Sequence, residues 1–174
     1  DLAAGNSHGT AAGDLAGVGT DTFTGVNAVR GSAFADVILG DAGNNTLDGQ
    51  VGNDVIQGRG GADTLIGGAG SDQFVFAAVS DSTVANHDTI SDFAHATDII
   101  DTSAIAEVTS VQGLLSGSAQ VAAHSIAWIQ SGANTIVYVN SSTVAQNQGS
   151  ADMEIVLTSV TANTLTGQDF LFHV

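Results

Sequence analysis

The polar and apolar positions keep one rhythm between residues 31 and 75 and another on either side. Within that stretch a three-residue, apolar-centred run recurs every nine positions, each preceded by six turn-forming residues, mostly small or polar. The units read GSAFADVIL, GDAGNNTLD, GQVGNDVIQ, GRGGADTLI and GGAGSDQFV. Each starts on glycine (Gly31, Gly40, Gly49, Gly58, Gly67). The sixth place holds Asp36, Asn45, Asp54, Asp63 or Asp72, and the eighth Ile38, Leu47, Ile56, Leu65 or Phe74. A three-residue strand sends its central side chain to one side and its neighbours to the other. The eighth positions therefore face a common interior. One unit cannot bury its aliphatic alone, so units must coil and stack, two per 18-residue turn. The expected fold is all-β: a right-handed parallel β-roll over 31–81, with two short parallel sheets edged by glycine-rich turns.

The flanks follow other rules. Residues 1–15 read as a linker or the end of a preceding domain, and 16–30 as a lead-in coil with Phe23, Val26 and Val29 facing inward. The stretch 16–24 mimics a repeat, but its Asp21 lies fifteen residues before Asp36 and so falls out of register. Past Phe76, residues 88–93 and 98–101 alternate polar and apolar around Ala-His-Ala-Thr, which predicts a hairpin. Val108, Val111 and Leu115 suit a short helix. Residues 125–130 and 135–140 flank Ser-Gly-Ala-Asn, a second hairpin signal, and 152–157 reads as a strand. Residues 82–174 are thus expected to form a β-rich, partly antiparallel cap. The outward positions Val37, Leu39, Val55 and Val75 are more apolar than Thr46, Asp48 and Thr64. One sheet face is therefore expected to be covered by this C-terminal half.

Charge changes the picture. Eighteen acidic residues face two arginines, Arg30 and Arg59, for a net charge of -16, and cysteine is absent. A nucleic-acid partner is excluded because no basic patch is present to displace counterions. Adhesion to anionic membranes is disfavoured, and no apolar run approaches the ~20 residues of a membrane span, so no membrane insertion is expected. Stacking superposes Asp36, Asp54 and Asp72 on one edge, and Asn45 with Asp63 on the other. Carboxylates ~5 Å apart repel. A hard cation between the layers relieves them, and carboxylates plus turn carbonyls supply the all-oxygen shell that Ca2+ prefers. A flexible linker would have no reason to keep Asp and an aliphatic in register five times. A phosphate-cradling loop would need a lysine and fewer carboxylates.

The five units resemble the RTX nonapeptide GGxGxDxUx, a calcium-binding parallel β-helix repeat. The following stretch from Phe74-Val75-Phe76 to Ile105 is similar to the C-terminal domain of serralysin-type secreted proteases. The resemblance implies calcium between turns n and n+2, held by turn carbonyls and the sixth-position side chains. Carried across, one site uses Ser32, Phe34, Asp36, Gly49, Val51 and Asp54. A second, on the other edge, uses Asp41, Gly43, Asn45, Gly58, Gly60 and Asp63. A third uses Gln50, Gly52, Asp54, Gly67, Ala69 and Asp72. A fourth takes Arg59, Gly61 and Asp63, closed by Asp81 and Asp88. The cofactor implied is Ca2+, about three to five ions. Asn45 removes a charge from the second site, and Ser32 and Phe34 replace two glycines in the first, which is expected to be the weakest.

No catalytic constellation stands out. His8, His87, His95, His124 and His173 are scattered without HExxH spacing, and no GxSxG occurs. Asp98 and Asp101 are better read as turn caps or calcium neighbours than as a glycosidase pair. The chain is expected to be a non-enzymatic, calcium-binding RTX module of a secreted protein, folding outside the cell and partnered by type I secretion machinery. The acid and apolar cluster at 169–174 reads as an uncleaved export signal or as a final core strand. The alternative is a polysaccharide-binding or adhesin module at the cell surface accompanying an extracellular enzyme. An ice-binding array is argued against by Ala33, Ala42, Val51, Gly60 and Ala69 at the third positions.

Overall fold

The structure, a computed structural model, describes residues 6–7, 21–22 and 26–174. Strands β1 (Asn6–Ser7) and β2 (Asp21–Thr22) pair antiparallel with each other. Otherwise the linker expected over 1–15 and the inward position expected for Phe23 lie outside the described residues.

From there the nonapeptide rhythm takes over. β3 (Ala28–Arg30), β4 (Val37–Leu39), β5 (Thr46–Asp48), β6 (Val55–Gln57), β7 (Thr64–Ile66) and β8 (Gln73–Val75) alternate between two parallel sheets. The register steps by 18 residues: Ile38 opposes Ile56, which opposes Phe74, while Val29 opposes Leu47 and Leu47 opposes Leu65. These central side chains are buried between the sheets from Ile38 to Phe74. Each contributes about 2 kcal/mol of burial energy. Val26 and Val29 pack against the same core, as expected of the lead-in coil.

The parallel ladder continues where a hairpin was expected. β9 (Asp88–Ile90) joins β7, and β10 (Ile99–Asp101) joins β8, so the two strands lie in different sheets. The reason is that Asp88-Thr89-Ile90 and Asp98-Ile99-Ile100 repeat the order Asp, any residue, aliphatic. Ile90 opposes Leu65 and Ile100 opposes Phe74. The connector buries Phe93 against Phe74, ring centroids 6.3 Å apart.

The helix expected near 108–115 is instead strand β11 (Ser110–Leu114), parallel to β12 (Ser125–Ser131) with a bulge between Val111 and Gly113. A β-branched run followed by glycine is poor helix material. The second hairpin forms as expected: β12 turns through Gly132 and Ala133 into antiparallel β13 (Asn134–Asn140), and β14 (Met153–Leu157) follows antiparallel. A two-residue β15 (Phe170–Leu171) then lies parallel to β10. The sheets are ordered β15-β10-β8-β6-β4 and β11-β12-β13-β14-β9-β7-β5-β3.

The C-terminal half does not cover a roll face. β14 pairs edge to edge with β9, extending one sheet, and Val37 on the other sheet's outer face stays 69% exposed. Edge pairing satisfies the backbone groups that β9 would otherwise leave open. Among the described residues no helix is long and apolar enough to cross a membrane.

Candidate metal centre

The sixth position of each unit sits where a turn enters a strand, and stacking brings these residues over one another. The backbone N–H of Asp36 donates to Asp54 Oδ1 at 2.8 Å, that of Asp54 to Asp72 Oδ1 at 2.9 Å, and that of Asp72 to Asp98 Oδ1 at 3.1 Å. On the other edge Asn45 N–H donates to Asp63 Oδ1 at 2.7 Å and Asp63 N–H to Asp88 Oδ1 at 2.8 Å. Each carboxylate thus spends one oxygen on the layer before it.

The second oxygen divides the turns into two kinds. Asp36 Oδ2 accepts from Ser32 N–H (2.6 Å) and Oγ (2.9 Å), Asn45 Oδ1 from Asp41 N–H, Asp81 Oδ2 from Ala77 and Ala78 N–H, and Asp98 Oδ2 from Ala94 N–H. Asp54, Asp63, Asp72 and Asp88 have no partner for Oδ2, and all four atoms are buried. In the turns leading to Asp54, Asp63 and Asp72 the second residue is left-handed: Gln50 (φ 80°), Arg59 (φ 68°) and Gly68 (φ 94°). The Oδ2 atoms of these turns accept no hydrogen bond. Glycine suits that conformation, whereas glutamine and arginine hold it at a cost of about 1 kcal/mol.

Carboxylate oxygens and main-chain carbonyls of successive layers meet beside the first glycines, among them the unpaired Oδ2 of Asp54. A Cβ placed on Gly49 would meet both Asp54 Oδ2 and the Gly67 carbonyl oxygen, the latter at 2.7 Å. One on Gly31 would meet Gly49 O at 2.5 Å and Asp36 Oδ2 at 2.7 Å. The space beside Gly31, Gly40 and Gly49 is therefore an oxygen-lined gap between layers.

Burying a carboxylate without a counter-charge costs several kcal/mol. Burial pushes the Asp63 carboxyl up to about 6, with Asp41 and Asp81 adding repulsion, and that of Asp88 up to about 8, with Asp63 and Asp81 adding. Asp54, Asp72 and Asp98 are raised by burial first and then by neighbouring carboxylates. The arginines answer elsewhere: Arg30 Nε lies 3.3 Å from Asp48, and Arg59 Nη1 donates to the Gly40 carbonyl. Among the described residues no three carboxylate or imidazole side chains converge on one point. A cation here would be completed by carbonyls, which suits Ca2+ and not Zn2+.

The structure stacks the turns that carry the expected ligand sets. For the first, Ser32 O accepts from Val51 N–H at 3.3 Å, and Phe34 O faces Gly52. For the second, Gly58 O lies beside Asn45 Oδ1, and Gly43 O faces Gly61. Asp41 turns its side chain back into its own turn, accepting from Gly43 N–H and Asn45 Nδ2, and Gly60 is half-buried near Ala42. For the third, Gln50 O accepts from Ala69 N–H, and Ala69 O from Gly52 N–H, both between the right layers. For the fourth, Asp88 stacks on Asp63, while Asp81 is turned to its own loop.

One column member escaped the sequence reading: Asn27 occupies the sixth position before β3, its carbonyl accepting from Thr46 N–H. Asp98, expected as a turn cap or calcium neighbour, accepts from Ala94 N–H in its own turn and also closes the first column. The Asp-Ile-Ile order at 98–100 was the available signal; no glycine-rich turn precedes it. Asp92 also accepts from Gly67 and Gly68 N–H.

The family description "Peptidase M10 serralysin C terminal" matches residues 11–172. Two solved structures are similar, both from the Azotobacter vinelandii mannuronan C5-epimerase. The AlgE6R2 subunit is 27% identical, covering 83% of this chain and 91% of that one, with a TM-score of 0.52. The AlgE6R3 subunit is 30% identical, covering 87% and 86%, with a TM-score of 0.47. No curated protein matches. With the nonapeptide columns and the family match spanning nearly all of its length, the chain belongs to the serralysin C-terminal family and is an RTX-type parallel β-roll.

Proposed function

We propose that the chain is a calcium-folded module of a secreted protein, exported unfolded by type I machinery and closing on Ca2+ outside the cell. The observation that carries this is the row of buried, partnerless oxygens on Asp54, Asp63, Asp72 and Asp88, that of Asp54 beside the Gly67 carbonyl. The ligands are the four sets drawn from the repeat, with Asp88 as the closing carboxylate of the fourth. Bound calcium supplies the positive charge that lets stacked carboxylates stay ionised while buried. Asp36 and Asn45 already satisfy their second oxygens within their own turns, so the first two sites bind less tightly than the third and fourth. At millimolar affinity the sites stay empty in a calcium-poor cytosol, and the chain stays open for export. Outside, each site adds about 2.7 kcal/mol at a hundredfold excess over its dissociation constant. We assign the module no reaction of its own.

Circular dichroism and calorimetric titration test this directly. Calcium should restore a β spectrum and raise the melting temperature of chelated protein. Identical melts with calcium and with excess chelator would contradict the reading.

The likeness to AlgE6R2 favours a second reading, contact with an extracellular polysaccharide. Both arginines are engaged within the protein. A polyuronate would therefore be held through hydroxyl contacts and shared cations, and binding in affinity electrophoresis should vanish with chelator.

A further inference from the structure

The end of the chain is tied to the last rung of the first carboxylate column. Asp98 takes the N–H of Asp72 on Oδ1 and the N–H of Ala94 on Oδ2, at 3.1 and 2.8 Å, which closes the loop 94–98. Ala96 in that loop is left-handed, φ 64°, a conformation alanine does not hold unaided. In this shape the loop offers two groups to Asp169: Ala96 N–H donates to Oδ1 at 3.0 Å, and His95 Nδ1 lies 2.8 Å from the same atom. The other oxygen accepts from Thr166 N–H at 2.7 Å and Thr166 Oγ1 at 3.2 Å. The Asp169 side chain is fully buried. The next residue, Phe170, opposes Ile100 in β10 and stacks on Trp128 at 5.2 Å. Leu171 O then accepts from Thr102 N–H and Oγ1, and His173 N–H donates to Val108 O.

We propose that residues 166–173 form a latch that docks only when the column Asp36–Asp54–Asp72–Asp98 has closed. The inference rests on the calcium reading above. Its physical content is that Asp169 can be buried only against a loop whose shape Asp98 imposes, and that Asp98 is itself held by the neighbouring layer. A charged side chain left without those donors returns to water and takes β15 with it. In the metal-free chain residues 169–171 are then released from β10. In the closed roll Asp169 and Phe170 are buried, while Leu171 and Val174 stay exposed.

Hydrogen exchange of the full chain, read separately on peptides from 46–66 and 166–174, tests the coupling. With calcium both peptides should slow by at least about tenfold relative to chelated protein, reporting one cooperative unit. Asp169→Asn, or His95→Ala if that variant fails to fold, should leave the 46–66 response intact and return 166–174 to the fast rate. A tail equally protected with and without calcium while 46–66 responds would overturn the latch. So would a tail that stays fast in the calcium form, or one still protected in Asp169→Asn. A 46–66 region indifferent to calcium would instead overturn the calcium reading, and the latch with it.

Discussion

Asp54 Oδ1 holds the backbone N–H of Asp36 at 2.8 Å while its Oδ2, buried in the same gap, has no partner. One carboxylate thus fixes the register of two layers and waits for a charge between the next two. Asn45 differs on both counts, since it is neutral and its oxygen is used by Asp41 N–H. Asp54→Ala should therefore abolish or strongly weaken calcium-dependent folding, whereas Asn45→Ala should cost at most about 1–2 kcal/mol, as for a lost turn-capping hydrogen bond. Paired calorimetric titrations compare them, and equal losses would contradict the stacking register.

The glycines at first positions are required by closeness and not only by flexibility. Gly49→Ala would push a methyl against the Gly67 carbonyl and the Asp54 carboxylate. It should destabilise the calcium form by about 1–3 kcal/mol and narrow the gap meant for the ion. Gly149, with open space around it, is the control: Gly149→Ala should leave the melting temperature unchanged.

What the sequence shows and what it hides follow from the same cause. The register from Ile38 to Phe74 was legible because glycine, aspartate and aliphatic recur together, and each alone would have been ambiguous. Past Phe76 the turns lose their glycines while the strands keep their order. Asp88-Thr89-Ile90 and Asp98-Ile99-Ile100 therefore looked like two arms of a hairpin. Which edge a strand joins is decided by tertiary pairing, which is why the edge-to-edge contact of β14 with β9 was invisible. The two kinds of turn were also hidden. They depend on whether the second residue is left-handed, and nothing in the side chains of Gln50 or Arg59 announces that.

Burial separates the two faces of each rung. Ile56 is fully buried, and Ile56→Ala should cost about 2–5 kcal/mol, seen as a lower melting temperature of the calcium form. Val37, on the open face, should tolerate alanine within about 0.5 kcal/mol. A large loss at Val37 would mean that something covers that face in solution.

Without metal, acid should do part of calcium's work. Burial raises the Asp63 carboxyl to about 6 and Asp88 to about 8, against an unfolded value of 3.8, and raises Asp54, Asp72 and Asp98 in the same direction. A carboxyl whose folded pKa exceeds its unfolded one binds more protons folded than unfolded, so stability falls as pH rises between those values. The stabilising contribution is fully present below about pH 4 and is lost as pH climbs through 6 for Asp63 and 8 for Asp88. Asp152 and Asp169, lowered by their hydrogen bonds, act in the opposite sense only below the ordinary carboxylate range, so they do not blur this window. Chelated protein should therefore melt higher at pH 5 than at pH 8. With calcium the slope reverses, because protons compete with the ion for the same oxygens. Thermal melts at pH 5, 6.5 and 8, each with calcium and with chelator, should cross. Parallel curves would show that these carboxylates are not what the cation neutralises.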